Sequence, residues 1–184
     1  MTRQFLFVIS SLLVTNISIS AQEIGMFGNT PSRNMVSDEI NILSQWDVAT
    51  GENVLWSQPV GSQAYGGPVV ANGRVYVGTN NEGRRDPAIE GDKGVVMAFE
   101  STSGNFLWQM VHPKLSAGRV NDWPLQGICS TDFMEDDRIY YVSNEAHVVC
   151  LDANGLADYG LAEQQPKHGY SERIADNGHT KHVS

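Results

Sequence analysis

The chain has 184 residues, enough for about one ordinary domain. Hydrophobic residues make up 41% and charged residues 18%, which supplies a packed core and excludes wholesale disorder. A formal net charge of -9 argues against a nucleic-acid backbone as partner, since phosphate binding needs clustered Lys and Arg.

Residues 1–21 have the pattern of an export signal. Arg3 supplies positive charge, Phe5 to Val14 is an apolar run too short to span a bilayer, and small residues follow at Ser18, Ser20 and Ala21. Cleavage there gives a mature start near Gln22 and a periplasmic or secreted protein that is not membrane-spanning. Residues 22–65 form an N-terminal segment with part of a repeat unit. Residues 66–110 hold a complete unit, with strands expected in "GGPVVA", "RVYVGT", "GVVMAFE" and "NFLWQM". Residues 111–158 hold a second, incomplete unit, with strands in "GICST" (127–131), "RIYYVSN" (138–144) and "HVVCLD" (147–152). The tail 159–184 has no β-alternation and few apolar residues, as a truncated reading frame or a disordered tail would have.

The unit boundaries follow from a repeated phrase. "WDVATGENVLW" (46–56) is echoed by "FESTSGNFLW" (99–108) and begins again in "LDANG" (151–155). Its acids, Asp47, Glu100 and Asp152, are spaced by 53 and 52 residues. Gly51, Gly104 and Gly155 fall just behind them, and Trp56 and Trp108 close the first two copies. The acid is expected to accept hydrogen bonds from turn amides, the Gly to allow the reversal, and the Trp to cover apolar edge surface between units. Asn72-Gly73, Ser103-Gly104 and Asn154-Gly155 supply the positive φ of tight turns, and Glu135–Asp137 sits at the joint matching Asn72-Gly73. Four short strands per 40–50 residues is the size of a propeller blade. The expected fold class is therefore all-β, with blades of four antiparallel strands in an incomplete propeller, about one full blade plus parts of others. A WD-repeat propeller fits less well, because no blade has the upstream Gly-His of that signature.

Strand order also bears on the cysteines. With Cys129 on the first strand of the second blade and Cys150 on its third, one strand lies between them. The separation is then about 9–10 Å, beyond the roughly 7 Å that a disulfide spans. Two free, buried thiols are expected.

"DVATGENVLW" resembles the repeat of the quinoprotein, or PQQ-binding-like, β-propellers. "MFGNTPSRNM", "YGGPVVANGRVYVGTNNEGRRDP", "GDKGVVMAF" and "GRVNDWPLQGICS" are similar to secreted bacterial members with no assigned activity. The resemblance runs from about Met26 to Asp158. It implies one of two roles. Quinoprotein dehydrogenases hold pyrroloquinoline quinone and calcium on the propeller axis and oxidise alcohols or sugars, many with a disulfide between adjacent cysteines. Other members, including a propeller that helps insert outer-membrane barrels, lack the cofactor and act as binding platforms. This chain has no adjacent cysteines and no position that matches a catalytic motif. The resemblance therefore favours a non-catalytic binding or scaffolding module of unknown ligand or protein partner. The alternative is a dehydrogenase whose catalytic blades lie elsewhere, with quinone and calcium as cofactors of the full-length family.

Residues outside the repeat phrase are the candidates for ligand contact. In the long insertion 80–94, Arg84 and Arg85 suit an anion, and Asp86, Glu90 and Asp92 are acids of calcium-ligating type without EF-hand spacing. In the linker "GRVNDWPLQG" (118–127), Arg119, Asn121 and Asp122 are expected near one mouth of the axis. Trp46, Trp123 and Tyr65 suit a glycan. His179 and His182 have metal-like spacing without a surrounding helix pattern, and no metal site is expected; His112 and His147 lack the companions of a nucleophilic triad.

Overall fold

The computed structural model describes residues 25–40, 42–116 and 122–155. The export signal, Arg119, Asn121 and the tail 159–184 lie outside these residues.

Among the described residues, seven strands form two antiparallel sheets. β1 (Val69–Ala71), β2 (Arg74–Asn80), β3 (Gly94–Glu100) and β4 (Phe106–His112) make a four-stranded sheet in that order. β5 (Phe133–Glu135), β6 (Arg138–Val142) and β7 (Val148–Asp152) make a three-stranded sheet, again in chain order. Each sheet is an up-and-down meander, and the two match strand for strand. The fold is all-β, a partial propeller of two blades.

Local chemistry sets the reversals. β1 and β2 are joined by Asn72 (φ 52°) and Gly73 (φ 69°), both in the left-handed region that a two-residue hairpin requires. Asp136 (φ 52°) takes the same place between β5 and β6, because a short Asp side chain tolerates that conformation. β2 pairs with β3 along its whole length, from Arg74 opposite Glu100 to Asn80 opposite Gly94. β3 to β4 slips by one residue between Ala98 and Phe99.

The repeated phrase forms one turn three times. Asp47 Oδ1 accepts the Ala49 amide at 2.8 Å, and Asp152 Oδ1 accepts the Asn154 amide at 2.7 Å. Glu100 reaches the Ser103 hydroxyl instead, its longer side chain passing the amides. Gly51, Gly104 and Gly155 have φ of 79°, 72° and 72°. A second demand falls on two of them. A Cβ on Gly104 would lie 2.6 Å from Cδ2 of Trp56, and one on Gly155 would enter the ring of Trp108; nothing lies within 4 Å at Gly51. The Trp that ends one copy therefore lies flat on the Gly of the next. Trp56 Nε1 also donates to the Ser101 carbonyl at 2.8 Å. The equivalent carbonyl of the next copy, at Ala153, accepts the Tyr76 hydroxyl at 3.1 Å, and the Trp108 nitrogen is buried without a partner.

The main core lies between the two blades. Val69, Tyr76, Val96, Ala98 and Met110 on the first meet Met134, Ile139, Tyr141, Val149 and Leu151 on the second. A smaller cluster, Val95, Met97 and Phe99, lies on the first blade's other face under Trp56 and Val60. His112 at the end of β4 bonds through Nε2 to the Tyr141 hydroxyl at 2.7 Å and ties the blades together.

Three expectations are corrected. "GICST" is not a strand, and the first strand of the second blade is Phe133–Glu135. Gly127 (φ 66°) turns the chain, and Ile128 inserts over Gly78, where a Cβ would lie 2.9 Å from its Cγ2. The Ser130 hydroxyl, rather than backbone, closes on β6, exchanging bonds of 3.0 Å with both the N–H and the carbonyl of Val142. Second, both thiols are free, but Cys129 is exposed and Cys150 half-buried. Cys129 precedes the ladder and Cys150 sits on a strand with no outer neighbour among the described residues. Third, the partial blade expected within 22–65 contributes no ladder among the described residues, only the bridge Asp47–Glu52.

Two predictions follow from this packing. Gly51→Ala carries only the backbone strain of positive φ, about 1–2 kcal/mol at most. Gly104→Ala adds overpacking against Trp56, a further 1–3 kcal/mol or so, and urea melts should rank the two in that order. The second concerns pH. Burial, with His147 nearby, lowers the His112 pKa to about 4, so the unfolded chain binds the proton first. Its contribution is complete above about pH 6.5 and falls, by about 3 kcal/mol in all, as pH drops towards 4. Burial raises the Asp132 pKa to about 7, so that group opposes it, losing stability as pH climbs from about 4 to 7. Melts across pH 4 to 7 should show a rising curve for Asp132→Asn, a falling one for His112→Gln, and a flatter wild type.

Candidate functional site

A cleft of about 300 Å³ opens at the blade joint, lined by Asp122, Gln126, Gly127, Cys129, Ser130, Val142 and Asn144. The end of β6 and the linker before β5 form its walls. Two of the lining residues, Asp122 and Asn144, belong to a brace of polar and charged groups. Asp122 is buried, and its carboxylate accepts from Lys114 Nζ, from the Leu115 amide at 2.8 Å and from Asn144 Nδ2 at 3.1 Å. Burial pulls its pKa up, but these donors outweigh that and hold it below the ordinary carboxylate range. Lys114 also donates to the Trp123 carbonyl at 2.8 Å and lies 4.0 Å from Asp92. Asp92 in turn accepts the Leu125 amide at 2.7 Å.

Asn144 repeats a position in the first blade. Its counterpart at the end of β2 is Asn80, fully buried, whose Oδ1 accepts the Ser62 and Glu82 amides at 3.0 and 3.1 Å. Asn80 Nδ2 donates to Ser62 Oγ at 2.9 Å and to the Leu125 carbonyl. In the second blade, Asn144 Nδ2 holds the Pro113 carbonyl at 2.6 Å and Asp122, while its Oδ1 is buried without a partner beside the cleft. The first blade saturates this amide with segments on both sides, and the second leaves part of it open.

Among the described residues, the candidates are not brought together. Arg84 is exposed on the insertion. The Arg85 guanidinium sits over Phe99 and Phe106, at 5.4 and 5.1 Å from the ring centroids, and donates to Gln58 Oε1 and the Pro59 carbonyl. That is a fastening of the N-terminal segment to the first blade, since a guanidinium stacks well on aromatic faces. Of the linker trio, only Asp122 is among the described residues, and it braces the joint. Lys114, Asn144 and Asp92 complete that brace; Lys114 and Asn144 carry no local motif.

The cleft offers neutral amides and a hydroxyl rather than reactive groups. Burial raises the Cys129 pKa, which keeps the thiol protonated at neutral pH and a weak nucleophile. Among the described residues no group of three or more His, Cys, Asp or Glu side chains is placed to hold a metal. Pyrroloquinoline quinone with calcium also fits this cleft poorly: both Asp122 oxygens already have donors and Lys114 is neutralised, leaving little for calcium or for the quinone's carboxylates.

A four-stranded and a three-stranded meander, matched strand for strand, side by side and linked through a recurring acid-turn-Gly-Trp phrase, define a propeller-type repeat protein. The comparison with known families narrows the class. Residues 30–117 match the family model described as outer membrane protein assembly factor BamB, which supports a PQQ-binding-like propeller repeat protein. The match spans the first copy of the phrase and the first blade; the second blade joins through its internal correspondence. No curated protein matches the chain. Among the described residues no helix is long and apolar enough to cross a membrane.

Lys114→Met should leave the Asp122 carboxylate buried and uncompensated. A loss of about 3–5 kcal/mol in urea unfolding is expected, with partial rescue by the double variant carrying Asp122→Asn.

Proposed function

We propose that the chain is an exported, non-catalytic binding or scaffolding module, with the cleft at the blade joint as its recognition surface. One observation carries the reading: Asp122, the one carboxylate among the described residues that line the cleft, is consumed by a structural brace. What remains for a ligand is Gln126 and the open Asn144 oxygen, a set that suits hydrogen bonding to an extended backbone or a neutral polar molecule. The family description, which names an outer-membrane assembly factor, is in keeping with such a role. Export rests on Arg3, the apolar run Phe5–Val14 and the small residues up to Ala21. The domain limits follow the repeat: a leader to residue 21, a segment to 65, blades over 66–110 and 111–158, and a tail.

Two measurements test this. Purified protein incubated with pyrroloquinoline quinone and calcium, then desalted, should retain no cofactor absorbance and show no dye-coupled oxidation of alcohols or sugars. Retained cofactor with turnover would establish the dehydrogenase reading instead. Expressed from its first Met in a Gram-negative host, the protein should appear in the periplasm or medium with an N-terminus near Gln22; an intact leader on cytoplasmic protein would refute export.

A further inference from the structure

The two blades expose unequal faces, and the inequality identifies a partner. On the first blade, Tyr76, Val96 and Ala98 point at the second blade and are completely buried. The strand-for-strand match gives their counterparts as Tyr140, Val148 and Cys150. These form the same kind of face on the second blade, with nothing described against it: Val148 is 55% exposed, Val142 beside it 44%, and Tyr140 and Cys150 are half-buried. Val142 opposes Val148 and Tyr140 opposes Cys150 across the β6–β7 ladder, so the four make one apolar patch. The outer edge of β7 likewise has no neighbour among the described residues, whereas its counterpart β3 has β4.

The chain itself contains a surface that such a patch fits. Within the molecule, the Tyr76 face packs on Ile139, Tyr141, Val149 and Leu151. The first-blade counterparts of those residues are Val75, Val77, Met97 and Phe99. Val75 and Val77 remain half-exposed, while Met97 and Phe99 are buried beneath Trp56 and Val60, which are themselves only partly buried. The segment that covers it also carries "NVLW" (53–56), the counterpart of "NFLW" (105–108), which enters β4, the strand type absent beside β7. Trp56 is already docked on Gly104 as Trp108 is on Gly155. A second copy placed with its 53–58 segment along β7 therefore reproduces the blade-to-blade relation already present inside the chain, with that dock intact.

We infer that copies of this chain associate head to tail, the Tyr140–Val148 patch of one meeting the Val75–Val77 face of the next. The contact is heterologous, so it builds closed rings or open filaments rather than a two-fold dimer. It deepens the scaffold reading by making a second copy the partner of the surface adjoining the cleft.

Complementary variants test it. Val148→Asp closes one face and Val75→Asp the other. By sedimentation velocity, the wild type should form species of at least twice the monomer mass, and each folded variant should be monomeric. An equimolar mixture of the two should give a heterodimer, since each retains the face the other lacks. Cys150 alkylation should slow at least several-fold in the wild-type assembly relative to Val148→Asp, while Cys129 serves as the exposed control. If either variant unfolds by circular dichroism, Val148→Lys or Val75→Lys replaces it. A monomeric wild type at high concentration, or a mixture that stays monomeric, would overturn the inference; the scaffold reading would survive, resting on the cofactor test.

Discussion

The structure depends on one contact, a tryptophan ring laid on the glycine of the following turn. It makes two requirements on the same glycine, a left-handed backbone and an absent side chain, and so links the end of one blade to the corner of the next. Trp56 on Gly104 and Trp108 on Gly155 are two instances of it. Because each ring lies between units, it sets the position of a blade relative to its neighbour. The strands themselves need only ladders and β-branched residues. The order of blades needs this dock.

Around the dock, polar groups handle what apolar packing leaves over. His112 bonds Tyr141 across the blade joint, and Lys114, Asp122 and Asn144 form a brace beside the cleft. Thr79 and Asn80, both completely buried, fasten residues 61–63 on one side, and Asn80 and the Thr79 carbonyl hold Leu125 and Ile128 on the other. Asp132 is the exception: buried, with both carboxylate oxygens unpartnered, it is stable there only as the neutral acid near pH 7 and below. The second blade thus carries a polar liability where the first has Pro68.

What the sequence made legible is local. The acid, the Gly and the spacing to the Trp depend on a single turn, so the period and all of the first blade's strands could be read directly. The "GICST" segment misleads because its conformation is decided by a remote vacancy: Ile128 fills the space that Gly78 leaves. Arg84 and Arg85 look like an anion pair by adjacency, yet Arg85 is taken by two phenylalanine rings on the first blade. Asp122 was recognisable as a polar residue beside the joint, but its partners come from the segment after β4 and the end of β6, seven to twenty-two residues away, and no local pattern announces them. The cleft likewise exists only once the segment 122–130 folds against the end of β6, which is why its neutral lining could not be anticipated.

The most direct test of the dock is a double-mutant cycle on Trp56 and Gly104. The single variants Trp56→Ala and Gly104→Ala and the double variant would be compared by urea unfolding. If the ring lies on the glycine, Gly104→Ala should cost at least about 1 kcal/mol less once Trp56 is already Ala, leaving only the strain of positive φ. Strictly additive losses would mean that the two residues do not meet, and the account of how the blades are ordered would fail.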